Sequence, residues 1–197
     1  MQETKLDMRA CALVSRAYGL MPAAAQVREC AASSSPAVLA ELLVEMERLV
    51  MVVGDAVGAA VEPARSLVGN VMADTVTRAG VTLFDVQPVF RAASTRLYVV
   101  DAPGAGSLEK LLAAAGRTPV ARESARGIDL NALAAEVAAM PMRELLRWLG
   151  RARFVCAGTE AVASALWTDV ARRDGAAASA LAEIGEGLLR ARKLLPR

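Results

Sequence analysis

Three arginines that recur one helical turn apart are the residues of this chain best suited to bind a ligand. At about 100° per residue on a helical wheel, the segment 141–155 places them opposite an apolar side. We call this row, Arg143, Arg147 and Arg151, the arginine ridge. Guanidinium groups along one helix face can hold a phosphate or sulfate through paired hydrogen bonds. The ridge therefore indicates an anion-binding surface, although a plain solvated face has the same pattern.

Trp148 lies at the border between the ridge and the apolar side of the same helix. An indole at such a border can pack half-buried or offer a face on which a ligand stacks. The position favours packing, and ligand contact remains the alternative.

The sequence lacks the residue types on which the common catalytic and metal sites depend. It contains no histidine, which excludes Ser-His-Asp and Cys-His catalysis and imidazole metal ligation. Cys11, Cys30 and Cys156 are far apart and form no CxxC spacing, so they predict neither a zinc site nor a redox pair. We expect a non-enzymatic protein without a metal or cofactor.

Residues 99–108 superficially look like a strand, a glycine loop and a helix N-terminus, which is the arrangement that cradles phosphates. The loop Asp101–Ser107 has neither the Gly-Lys-Ser/Thr of a P-loop nor a GxGxxG fingerprint. A surface turn is the favoured interpretation, and an enzyme that uses this loop is the weakest of the functional hypotheses.

Composition narrows the possible classes of partner. The net charge is +2, from 23 basic and 21 acidic residues, whereas duplex-binding proteins normally carry a clear basic excess; we expect no nucleic acid. The first ten residues do not resemble a signal peptide, and the apolar window 49–61 contains Asp55 and is too short to span a bilayer. These features predict a cytoplasmic protein.

Apolar periodicity predicts an all-α fold in a single domain over 1–197, with an N-terminal helix and linker over 1–35 and a core over 36–197. Serine, aspartate and proline mark several helix starts. The residues Gln87-Pro88 and the β-branched runs around them predict an irregular insert over about 81–106. The predicted helices cover 6–20, 37–57, 62–79, 107–116, 130–140, a segment that starts at Pro141 and carries the ridge, 159–173 and 176–195.

The ridge helix resembles the glycolipid transfer protein family, including its ceramide-1-phosphate branch. The segment Arg143–Arg147 is similar to the Arg-x-x-x-Arg pair that contacts the phosphate in that branch. The segment Trp148–Phe154 is similar to a pattern of the glycolipid branch in which the tryptophan stacks on the sugar. These two alignments differ by one position. The resemblance implies a two-layer, all-α fold that sandwiches a lipid.

A second stretch, 61–71, is similar to the helix that holds the family's Asp-x-x-x-Asn head-group motif. Asn70 matches the asparagine, while the aspartate position falls on Ser66, or on Leu67 by the spacing of the other branch. A rival placement puts Asp74 and Arg78 on an Asp-x-x-x-Lys motif. The position of the family's histidine falls on Gly185.

Two functional hypotheses follow. The first is a non-enzymatic lipid-binding or intermembrane lipid-transfer protein for an anionic, phosphate-headed sphingolipid or related lipid, with transient membrane contact. The alternative is a helical scaffold or adaptor that forms homo- or hetero-oligomers without a small ligand, which the mean hydropathy of +0.36 would suit. The candidate ligand residues are Asn70, Asp74, Arg78, Arg143, Arg147, Trp148 and Arg151.

Overall fold

The computed structural model describes residues 22–100, 106–116 and 128–197, and within these ranges the chain is helical and contains no β-strand. The predicted all-α class is confirmed. In chain order the helices are α1 (Ala24–Ser33), α2 (Pro36–Ala59), α3 (Val61–Leu67), α4 (Asn70–Val99), α5 (Leu108–Ala114), α6 (Leu130–Ala138), α7 (Met142–Arg173) and α8 (Gly175–Leu194).

Four long helices form an antiparallel bundle in which α4 packs between α2 and α8, and α8 packs between α4 and α7. The Tyr98 hydroxyl in the last turn of α4 donates to Glu41 near the start of α2, so these helices run in opposite directions. Arg91 of α4 pairs with Glu47 in the middle of α2 at 2.7 Å. Arg192 of α8 likewise reaches back to Glu160 of α7 at 2.8 Å. The fourth side of the bundle, between α7 and α2, is covered by α1 and α5.

One long connection separates the two halves of the bundle. The chain leaves α4 at one end of the bundle and enters α7 at the other, and the described part of this connection includes α5 and α6. We call the end at which α4 and α7 begin and α2 and α8 end the proximal end, and the opposite end the distal end. The arginine ridge lies on the first turns of α7 and therefore at the proximal end.

The prediction of an irregular insert is wrong for residues 81–99, which continue α4 without a break. Pro88 is exposed, so the loss of its amide hydrogen bond is borne on the solvent side of the helix. Burial of an apolar face outweighs the weak helix propensity of valine and threonine. Alternating spacings of four and three residues separate the buried side chains, which are Ala79, Leu83, Val86, Phe90, Ala93 and Leu97.

Two further boundaries differ from the prediction. The break expected at Gly80 occurs instead at Gly69, which has a left-handed φ of 113° that glycine adopts without strain. The break expected before residue 159 does not occur, and α7 continues through Thr159, whose buried hydroxyl donates to the Val155 carbonyl at 2.8 Å. Helix α1 also occupies part of the predicted linker, while the predicted helix 6–20 and the loop residues 101–105 lie outside the described residues.

The predicted caps are confirmed at two helix starts, whereas Ser107, which was expected to cap the helix that it begins, makes no side-chain cap hydrogen bond at the start of α5. The Ser35 hydroxyl accepts a hydrogen bond from the Val38 amide at 3.3 Å. The Asp129 carboxylate accepts from the amides of Asn131 and Ala132 at 2.9 and 3.1 Å. These bonds satisfy amides that a helix otherwise leaves without a partner.

Helices α4 and α8 approach each other closely at Gly187. A Cβ built there would overlap the Cγ2 atom of Val86, which is itself buried. We expect Gly187→Ala to lower the free energy of unfolding by about 1–3 kcal/mol, because overpacking forces the helices apart. Denaturant unfolding followed by circular dichroism measures this change.

Gly185 on the same helix provides the matched control, because a Cβ there meets no atom within 4 Å. Gly185→Ala should raise stability by up to about 1 kcal/mol through helix propensity alone. Equal effects of the two substitutions would contradict close packing at Gly187.

Asp174 joins α4, α7 and α8 at the distal end. Its carboxylate accepts from Arg96 Nε and Nη2 at 2.8 and 2.9 Å and caps α8 through the Ala177 amide at 2.7 Å. The Arg96 hydrogen bonds, followed by the amide, lower the pKa of Asp174 from 3.8 to about 2. The charged carboxylate therefore stabilises the fold above pH 3.8, and this contribution is lost as the pH falls toward 2.

We accordingly expect Asp174→Asn to lower the melting temperature at neutral pH. The difference from the unsubstituted protein should shrink as the pH falls from about 4 to about 2. Thermal unfolding at a series of pH values measures it, and Arg96→Ala should weaken the same pH dependence. A difference that stays constant over this range would show that Asp174 does not act through its charge.

Candidate functional site

The arginine ridge faces a groove between the first turns of α7 and the C-terminal segment of α8. We call it the arginine groove; its volume is about 940 Å³. Its described lining includes no acidic residue. Apolar side chains form one part of the wall and are Met142, Leu146, Phe154, Ala157 and Pro196; the basic part consists of Arg143, Arg147, Arg151, Arg153, Arg192 and Arg197.

The exposed ridge residues Arg143 and Arg147 make no ion pair or hydrogen bond with any other part of the chain that the structure describes. They lie one turn apart on α7, so both guanidinium groups can turn toward the same ligand. Arg151, one turn further along, is less exposed. Arg143 and Arg147 thus present donors to the groove that no carboxylate among the described residues occupies.

Contacts between α7 and α8 fix the far wall of the groove. Arg153 Nε donates to the backbone carbonyl of Arg192 at 3.1 Å. Arg192 in turn pairs with Glu160 at 2.8 Å, which compensates part of its charge. These bonds hold the C-terminal segment of α8 beside the ridge, and the negative end of the α8 dipole favours cations there.

A groove that collects this many cations has an electrostatic cost. Two like charges 4 Å apart repel by about 1 kcal/mol even in water. A bound anion would relieve this repulsion and accept several charge-assisted hydrogen bonds. The arrangement is therefore suited to hold a multivalent anion such as a phosphate.

Trp148 does not belong to the groove. It is 3% exposed and packs in the core with Leu145 and Leu149 on the opposite side of α7. Its Nε1 atom is buried and has no partner among the described residues. The predicted packing role is correct in kind, but the residue is buried rather than half-buried. Its assignment as a ligand residue finds no support in the arginine groove and stays a prediction.

The other predicted ligand residues lie on α4 rather than in the arginine groove. Asn70, Asp74 and Arg78 are exposed at the proximal end. Arg78 lines a second groove of about 550 Å³ on the other side of α8, where it faces Arg190 and Lys193. Of the three, only Arg78 lines a groove that the structure describes, and Asn70 and Asp74 lie outside both grooves that flank the end of α8.

Sequence reasoning missed Arg153, Arg192 and Arg197, which complete the arginine groove. The cluster of four basic residues over 190–197 was the available signal. Helical periodicity on α7 could not show that this C-terminal cluster returns to the ridge, because that requires the antiparallel pairing of α7 and α8.

The described residues contain no group of three or more histidine, cysteine, aspartate or glutamate side chains that could hold a metal ion. Within the same ranges, no helix combines the length and apolar character needed to cross a bilayer. Cys30 is half-buried and Cys156 is buried, and neither forms a disulfide.

Comparison of the chain with protein-family models, curated proteins and solved structures found no match. The resemblance to glycolipid transfer proteins therefore stays a prediction, and the arguments about function rest on the geometry of the grooves.

Inorganic phosphate should stabilise the protein if the arginine groove holds an anion. At a concentration ten times its dissociation constant, a ligand raises the free energy of unfolding by about 1.4 kcal/mol, or the melting temperature by about 3–6 °C for a domain of this size. Arg147→Ala should reduce this rise, as measured by thermal unfolding with and without phosphate.

Arg91→Ala is the charge-matched control, because Arg91 lies on α4 near the distal end. It should leave the phosphate effect unchanged. An equal rise with sodium chloride at the same ionic strength, or an equal loss in both variants, would indicate general screening instead of a binding site.

Proposed function

We propose that this protein is a non-enzymatic binder of phosphate-headed lipids and that the arginine groove receives the head group. The observation that carries the proposal is the set of six arginines around a groove whose described lining has no carboxylate. Guanidinium groups bind a phosphate by paired hydrogen bonds, and each charge-assisted bond contributes about 1.5–3 kcal/mol. A phosphomonoester offers three oxygens to such donors.

The apolar part of the groove supports a lipid rather than a fully polar anion. Met142, Leu146 and Phe154 lie beside the arginines in the same lining. Such surface suits the first methylene groups of a lipid chain, each of which gains about 0.8 kcal/mol when it leaves water. A free sugar phosphate, or the triphosphate group of a nucleotide, has no apolar part that would contact these side chains.

The core supports binding at the surface more than enclosure of whole acyl chains. Aliphatic side chains fill the space between α2, α4, α7 and α8, and most of them are fully buried. Transfer of a lipid between membranes would require these helices to part. We therefore propose head-group binding as the activity, with transfer as a further property that a transfer assay would have to demonstrate.

Vesicle binding tests this proposal. The protein should bind vesicles of phosphatidylcholine with phosphatidic acid more tightly than vesicles of phosphatidylcholine alone. Arg143→Ala combined with Arg147→Ala should weaken this binding at least tenfold, because a single charge-assisted bond accounts for about that factor. Flotation of the vesicles in a density gradient measures the bound fraction.

Two controls separate the groove from general charge. Arg28→Ala combined with Arg91→Ala removes the same charge from α1 and from the distal part of α4, and should leave binding intact. Phosphatidylserine vesicles of equal surface charge should bind more weakly than phosphatidic acid. Equal binding to both lipids with equal losses in both double variants would contradict a phosphate site in the groove.

A second candidate function is protein–protein contact, and one apolar groove favours it. Between α2 and α4 lies a cleft of about 500 Å³, where Gly54, Gly58 and Gly80 leave the surface open. Phe84 borders this cleft and is 70% exposed. Burial raises the pKa of Asp55 at the same place, as expected for a carboxyl beside apolar walls.

The scaffold hypothesis is tested by a separate measurement. If this α2–α4 cleft pairs two copies, light scattering should show association that rises with concentration, and Phe84→Ser should abolish it. If the unsubstituted protein and Phe84→Ser are both monomeric at every concentration, self-association through this cleft is contradicted. Neither result bears on lipid binding at α7 and α8.

A further inference from the structure

We propose that the turn between α3 and α4 inserts into the surface of an anionic bilayer while the adjacent basic grooves engage lipid head groups. We call residues 67–71 the apolar turn; its side chains are Leu67, Val68, Asn70 and Val71, with Gly69 between them. The proposal rests on the lipid binding proposed above and adds the surface through which the protein meets a membrane.

The apolar turn exposes large aliphatic side chains to water. Val71 is 84% exposed, Leu67 is 42% exposed and Val68 is 40% exposed. No atom lies within 4 Å of the place where a Cβ on Gly69 would be, so the space beside the turn is open at this position. Insertion of such side chains between lipids removes apolar surface from water and favours binding.

Other apolar surface lies at the same end of the bundle. Met142 begins α7 there and is 49% exposed, and it also belongs to the wall of the arginine groove. The beginnings of α4 and α7 therefore both present aliphatic side chains toward the proximal end. A bilayer that receives the apolar turn would thus also lie close to the groove.

Charge identifies the kind of surface that this end would meet. Arg190 and Lys193 of α8 face Arg78 of α4 in one groove, and the ridge lies on the other side of α8. Basic side chains near a bilayer are attracted to anionic lipids. The acidic residues Glu62, Asp74 and Glu144 also lie at this end, and Glu62 is paired with Arg65 at 3.3 Å.

The combination favours a membrane over a nucleic acid as the partner. A nucleic acid offers phosphates to arginine but no apolar phase for exposed valine and leucine. An anionic bilayer offers both, with phosphates at the surface and acyl chains beneath. Near the distal end, Glu41 accepts a hydrogen bond from the Tyr98 hydroxyl, and this carboxylate would face away from the membrane.

The substitution Val71→Asn tests the apolar turn without a change of charge. We expect about tenfold weaker binding to vesicles of phosphatidylcholine with phosphatidic acid, since burial of a valine side chain contributes about that factor. Val71 is so exposed that the fold should not change. Val71→Trp should instead tighten binding, because indoles are favoured at the bilayer interface.

Val99→Asn is the matched control, because Val99 is 79% exposed on the last turn of the same helix at the distal end. It should bind vesicles as the unsubstituted protein does. If Val71→Asn binds vesicles normally, or if Val99→Asn loses as much binding, the proposed orientation is overturned. Tight binding to an RNA duplex without binding to vesicles would also overturn it.

Short-chain phosphatidic acid in solution separates this proposal from the proposed function. Val71→Asn should bind it normally, because the arginine groove is intact, whereas Arg143→Ala with Arg147→Ala should not bind it. Normal binding by that double variant would refute the groove as the head-group site. If Val71→Asn loses as much binding to short-chain phosphatidic acid as the double variant does, the apolar turn does not act through a membrane alone.

Discussion

The packing of α8 between α4 and α7 is the constraint on which both basic grooves depend. Close contact at Gly187 and Val86 sets the distance between α4 and α8, and Arg153 and Arg192 join α8 to α7 near the other groove. The Asp174 cap fixes where α8 begins. Because α8 ends in basic residues, its position brings cations to both sides of the proximal end at once.

Local sequence signals predicted those parts of the fold whose causes are local. Ser35 and Asp129 cap the helices that they were expected to cap, since capping depends on residues three or fewer positions apart. The continuity of α4 through Pro88 was not predictable in this way. It depends on burial of one face against α2 and α8, which overrides local propensity.

The candidate site likewise has a part that local sequence predicts and a part that depends on tertiary packing. Arg143, Arg147 and Arg151 could be placed on one face from their spacing, and that placement is correct. Arg192 and Arg197 could not be added, because only tertiary pairing returns the end of the chain to the ridge. The net charge of +2 concealed this concentration, since it averages a basic proximal end with carboxylates elsewhere. Trp148 was expected to be half-buried at the border of the apolar side, but packing against the core buries it.

Photochemical crosslinking tests directly whether the arginine groove receives the phosphate head of a lipid. The probe would be a phosphatidic acid with a photoreactive group close to the phosphate, followed by peptide mapping with mass spectrometry. We expect adducts on residues 142–157 and 192–197, and fewer adducts when inorganic phosphate competes with the probe. Adducts confined to the α2–α4 cleft, or an identical pattern from a phosphatidylcholine probe, would contradict it.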